Sequence, residues 1–159
     1  FMRTLRGYVA LGKFPVSLLD MPAEFSPIDS TADAIVRLAG AEGDFSVFHA
    51  YSSYVIQMAD VILQMNAVGI PVDTVSDEEF QEALERALED ENKNELISGL
   101  IAYLSSDKDT KSVYIDAENS FTTKVLYRLG FKWPMPDGNY LRNALGALES
   151  LGFFDGKID

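Results

Sequence analysis

Apolar positions recur at helical spacing along most of the chain, and period-two alternation is confined to a few short stretches. In residues 2–11, Leu5 and Val9, joined by Tyr8, form one inward face; Gly12 and Pro15 then stop the helix. Residues 24–40 (EFSPIDSTADAIVRLAG) read as strand, turn and helix. Glu24, Phe25 and Ser26 are extended, and Pro27 removes a ladder donor. Asp29 or Ser30 is the expected N-cap, Ala32, Ile35, Val36 and Ala39 recur at helical spacing, and Gly40 ends the run. Residues 45–51 (FSVFHAY) carry the strongest strand pattern, with Phe45, Val47 and His49 alternating with Ser46, Phe48 and Ala50.

Ser53 is the expected cap of a helix whose inward face is Tyr54, Met58, Val61, Ile62 and Met65, with Gly69 as its end. Residues 70–75 (IPVDTV) suit a short edge strand because of Pro71. Ser76 and Glu79 form a capping box for a helix through Phe80, Leu84, Ala87 and Leu88. Leu96, Ile97, Leu100, Ile101 and Leu104 make a further apolar face, and residues 111–116 a short extended segment. Two last helices, 120–129 and 140–151, each end in Leu-Gly-Phe: Gly130 and Gly152 are placed for left-handed caps, Phe131 and Phe153 to fold back on the preceding turn. The sum is a mainly helical α/β chain, about six helices on a small patch of three to four short strands. That is too few strands for a doubly wound sheet of its own.

The 159 residues amount to one domain or part of one. Phe1 precedes Met2, which points to a piece of something longer. A net charge of −12 disfavours nucleic acid and anionic membrane surfaces as partners. No apolar run has the length of a membrane span. Without cysteine, disulfides and thiolate chemistry are excluded, and a cytoplasmic location is the simple expectation.

Signatures of catalysis are missing from these residues. There is no Gly-x-Gly-x-x-Gly turn, no Tyr-x-x-x-Lys pair, no nucleophile elbow and no P-loop. Asp107, Asp109 and Glu118 imitate a calcium loop, but Lys111 and Ser112 occupy positions that need a ligand and a glycine, so a solvated acidic loop is expected. His49, the only histidine, suits a hydrogen-bonded, partly buried strand position better than a general base. Met58, Met65 and Trp133 are expected in the core. No catalytic, cofactor-binding or metal residues are assigned.

The segment Pro27-Ile28-Asp29-x-x-Ala32-Asp33-Ala34-Ile35 resembles a late segment of extended short-chain dehydrogenases/reductases, where their substrate-binding part begins. With 47–51, 129–134 (LGFKWP) and 139–141 (NYL) in the same order, the whole chain resembles the C-terminal, substrate-binding part of the thioester reductase domains that terminate nonribosomal peptide synthetases, related to carboxylic acid reductases. The loop Ala50-Tyr51-Ser52-Ser53 departs from the Asn-containing loop of many relatives.

That resemblance implies one C-terminal subdomain over residues 1–159, facing a substrate channel and a phosphopantetheine carrier protein. It also implies an upstream nucleotide-binding half of the same polypeptide that holds NADPH and the catalytic residues. The complete domain would release a carrier-bound thioester as an aldehyde or alcohol, and this chain alone would be inactive. Tyr51 and Ser52, with His49 beneath them, are the candidate substrate-binding residues, because the loop 50–54 leaves the end of the best strand, leads into a helix N-terminus and combines two tyrosines with two serine hydroxyls. Ordinary N-capping by Ser52 or Ser53 with Tyr51 in the core explains the same residues. Two other readings stay open: a non-catalytic helical docking module, and an extended epimerase or dehydratase relative.

Overall fold

The computed structural model describes residues 1–43, 47–90, 94–100 and 118–156. Among them are seven α-helices: α1 (Met2–Leu11), α2 (Ile28–Ala39), α3 (Met58–Ala67), α4 (Asp77–Leu88), α5 (Asn94–Ile97), α6 (Ser120–Arg128) and α7 (Gly138–Ser150). Four three-residue strands accompany them: β1 (Lys13–Pro15), β2 (Pro22–Glu24), β3 (Val55–Gln57) and β4 (Asp73–Val75). They form two two-stranded sheets, β1 with β4 and β2 with β3. The expected α/β class with a helical majority is the one found, although its strands are divided between two patches.

The chain divides into two compact units: a larger one from 1–21, 57–112 and 137–159, and a smaller one from 22–56 and 113–136. In the larger unit α1 runs over its expected span, with Leu5, Tyr8 and Val9 buried. β1 follows at once and pairs in parallel with β4, Phe14 opposite Thr74. The Tyr8 ring meets Phe14 edge-on at 4.7 Å and lies 5.8 Å from Phe80 of α4. All three rings are fully buried, and burying each stabilises the unit by about 1.5–3 kcal/mol. Met58, Val61, Ile62 and Met65 of α3 are buried as their spacing predicts.

Two polar devices fix the entry to β4 and α4. The Asn66 side-chain amide donates to the Val72 carbonyl and accepts from the Val72 N–H, both at 3.0 Å, and so stands in for a strand neighbour. Ser76 Oγ accepts from the Glu79 N–H at 3.2 Å, half of the expected capping box. The Glu79 carboxylate, which would complete the box, is instead paired with Lys13. In α7, Asp137 accepts from the Tyr140 N–H at 2.8 Å, so this helix begins two residues before the expected Tyr140.

In the smaller unit, Ala34 and Leu38 of α2 pack with Val125 and Leu126 of α6 and with Phe131 and Trp133. Trp133 is a core residue, edge-on to Phe131 at 5.1 Å. The expected face of α2 is not the one that packs there. Ala32, Ile35, Val36 and Ala39 are exposed, because Ala34 and Leu38 on the neighbouring side meet α6. Nor do Asp29 and Ser30 cap this helix: α2 starts at Ile28 after Pro27, and Asp29 Oδ1 accepts from the Ser30 N–H inside the first turn.

Both Leu-Gly-Phe ends form as expected. Gly130 and Gly152 have φ of 75° and 69°. In each, the Phe N–H reaches back to the carbonyl five residues earlier (Leu126, 2.9 Å; Leu148, 3.0 Å) and the Gly N–H to the one three earlier, the paired bonds of a Schellman cap.

The expected strand over 45–51 and the expected helix from Ser53 are not formed as read. Phe45 and Ser46 lie outside the described residues, and 47–51 belongs to neither sheet. A strand is defined by its ladder, and here the polar backbone meets side chains: the His49 N–H donates to Thr122 Oγ1 (3.0 Å), and Asn119 Nδ2 donates to the Tyr51 carbonyl (3.0 Å). The period-two pattern is nonetheless visible, with Val47 and His49 exposed while Phe48 and Ala50 lean on the Ala34–Trp133 cluster. Next, β3 intervenes at Val55–Gln57 and postpones α3 to Met58, leaving Tyr54 outside it. The expectations at Ile101, Leu104, the 107–118 calcium-like loop and the 111–116 extended segment fall on, or depend on, positions outside the described residues.

Candidate functional site

Two places in the smaller unit gather side chains that chemistry could use. One is the segment His49–Tyr54. Ser52 is fully buried. Its N–H donates to Ser26 Oγ at 2.7 Å, and its own Oγ accepts from the Tyr54 N–H at 3.2 Å. Ser26 Oγ in turn donates to the Glu24 carboxylate. The hydroxyl of Ser52 thus closes a turn, and the serine is tied to the segment just after β2. Tyr51 is half-buried and His49 is exposed.

This arrangement corrects the expected layering: Ser52 is the residue beneath, and His49 faces outward. It also removes the helix N-terminus expected at Ser52 or Ser53, since α3 begins after β3 and has Gln57 at its cap. No sequence signal marks the residues that hold the segment: Ser26 is expected only as part of an extended stretch, and Asn119 and Thr122 carry no motif. Asn119 precedes α6 and looks like an N-cap, but its amide bonds to Tyr51 and makes no side-chain cap. A buried threonine in a helix, as Thr122 is, signals a hydroxyl with a specific acceptor or donor elsewhere.

The other place is an open cleft of about 460 Å³ lined by Asp29, Asp33, Arg37, Phe131, Lys132 and Pro134, among others. Its cations are already engaged. The Arg37 guanidinium bonds Asp33 through Nε and the Leu129 carbonyl through Nη1, both at 2.8 Å, and lies 6.0 Å from the Phe131 ring centroid. Lys132 Nζ sits 5.3 Å from the Tyr127 ring centroid. Arg37 therefore ties the α2 surface to the end of α6, which is a structural use of a charge at a helix C-terminus.

No protein-family model matches the sequence, and no curated protein matches it significantly. Solved structures do. A thiolation-reductase di-domain from an archaeal non-ribosomal peptide synthetase superposes with a TM-score of 0.81 over 98% of this chain, at 27% identity. The chain has the fold of part of a terminal reductase domain. The terminal R domain of the myxalamid PKS-NRPS pathway matches with a TM-score of 0.75 over 98% of the chain, at 21% identity. The reductase domain of the aureusimine biosynthetic cluster matches at 0.69 over 95%, at 22% identity. This chain spans only 31%, 39% and 38% of those three chains respectively.

Proposed function

We propose that this chain is the C-terminal, substrate-binding part of an NADPH-dependent thioester reductase domain, lining the channel and facing the carrier protein. The observation that carries the reading is the likeness, over nearly the whole chain, to the thiolation-reductase di-domain. The order of the PID, VFHAY, LGFKWP and NYL segments supports the assignment to the C-terminal part. Reduction of a thioester carbonyl needs a placed hydride donor and an acid for the developing oxyanion. Neither a phosphate-binding turn nor a Tyr-x-x-x-Lys pair occurs in these residues, so they do not fit NADPH, and the chemistry belongs to the nucleotide-binding half of the same polypeptide. What this chain offers is surface. Tyr51 and His49 supply an aromatic and polar rim, and Ser52 fixes the turn under them.

The test is turnover of a carrier-bound thioester by the complete reductase carrying Tyr51→Ala or Ser52→Ala, with thermal unfolding followed in parallel. Loss of turnover in a folded Tyr51→Ala enzyme is expected. Unchanged kinetics in both folded variants removes these residues from the channel, and loss of folding instead assigns them to structure. In calorimetry, the 159-residue chain alone is expected to show no micromolar NADPH binding; such binding would overturn the division of labour.

A further inference from the structure

Helix α2 has two apolar stripes, and its own unit covers one. Ala34 and Leu38 face the Val125–Trp133 cluster. At about 100° per residue, Ile28, Ala32, Ile35, Val36 and Ala39 form a second stripe centred roughly 120° around the helix from the first. Ile28 is 85% exposed, Ile35 54% and Val36 72%. Polar Asp29, Asp33 and Arg37 are confined to the remaining side. A helix apolar over so much of its circumference is one that buries both stripes. The strand-patterned segment 47–51, in neither sheet, exposes Val47 in the same unit.

We propose that the Ile28–Ile35–Val36 stripe is an interface for the part of a reductase domain that lies outside this chain, an inference that rests on the functional reading above. This chain spans about a third of each solved reductase structure it matches, so most of such a domain lies outside it and is available to cover the stripe. Charge argues against a second copy as occupant, since each carries −12, and against an acidic partner for the same reason. The stripe itself is uncharged, so burial against an apolar patch of the remaining domain leaves no ion unpaired.

The absence of cysteine makes the test direct. Ile35→Cys and Val36→Cys are each placed in the 159-residue chain and in the complete reductase domain cleared of other cysteines, with Glu78→Cys on α4 as the exposed reference. Maleimide labelling at Ile35→Cys and Val36→Cys is expected to be fast in the chain and at least tenfold slower in the complete domain, with Glu78→Cys equally fast in both. Equal rates at all three positions overturn the proposal. So does slow labelling in the chain alone that speeds up on dilution, which assigns the stripe to a second copy. NADPH-dependent turnover of the unmodified complete domain is measured separately. A protected stripe in an enzyme without thioester reduction would refute the functional reading and leave the interface standing.

Discussion

The larger and smaller units use the same kinds of helix but bury them differently. In the larger unit Tyr8, Phe14, Met65, Phe80 and Leu84 are all at 1% exposure or less, although Leu63 of α3 and Leu151 face solvent. In the smaller unit Leu38, Val125, Leu126, Phe131 and Trp133 are buried, while Ile28, Ile35, Val36, Val47, Tyr127 and Met135 are exposed. Secondary structure therefore does not report how finished a core is. Each unit has helices with an apolar stripe, but only the larger one supplies most of the surface those stripes need.

Substitutions can break or sharpen this contrast. The largest effect is expected at Phe80→Ala, which opens a cavity beside Tyr8 and Leu84 and should lower the urea-unfolding free energy by about 3–5 kcal/mol. A cost below 1 kcal/mol would place the larger unit on a par with the smaller.

Second is Gly99→Ala. A Cβ there would lie 2.5 Å from the Arg3 backbone, so α1 must shift, at a cost of about 1–3 kcal/mol read from the same unfolding curves.

Third, Gly130→Ala and Gly152→Ala place a Cβ at positive φ in both units, and each should cost about 1 kcal/mol. The cap is the same device in either unit. A Cβ at Gly152 would also meet Asp155 Oδ2 at 2.7 Å, while one at Gly130 has nothing closer than 3.8 Å. Gly152→Ala is therefore expected to cost at least as much as Gly130→Ala, and the reverse order would mean that the surrounding core, and not the cap, sets the cost.

The smallest effect is expected at Ile35→Ser with Val36→Ser, each within about 0.5 kcal/mol in this chain because the side chains face solvent. A loss of several kcal/mol would show that α2 already buries this stripe.

Local devices were the most legible part of the fold in sequence. Gly12 and both Leu-Gly-Phe ends stopped helices where composition said they would, and the Met58–Met65 stripe named a real core face. What sequence could not reveal was which of two apolar faces meets a neighbour. In α2 both Ala34/Leu38 and Ile35/Val36 satisfy helical periodicity, and the choice is made by α6, more than eighty residues away in sequence. The same holds for 45–51, whose alternation is genuine at Val47–Ala50 although a ladder depends on a second chain segment. At the candidate site, Tyr51, Ser52 and His49 are adjacent by covalent necessity. Their depth was misjudged because Ser26, Asn119 and Thr122, which set it, are distant in sequence and ordinary in type.

At Asn66 the fold tells an amide from an acid of the same shape. Its amide serves the carbonyl and the N–H of Val72 together, a task that needs one donor and one acceptor at fixed positions. At neutral pH an aspartate of nearly the same shape can no longer donate, and its carboxylate confronts the Val72 carbonyl oxygen. Asn66→Asp should therefore loosen the turn into β4, with a loss of about 1–3 kcal/mol in urea unfolding.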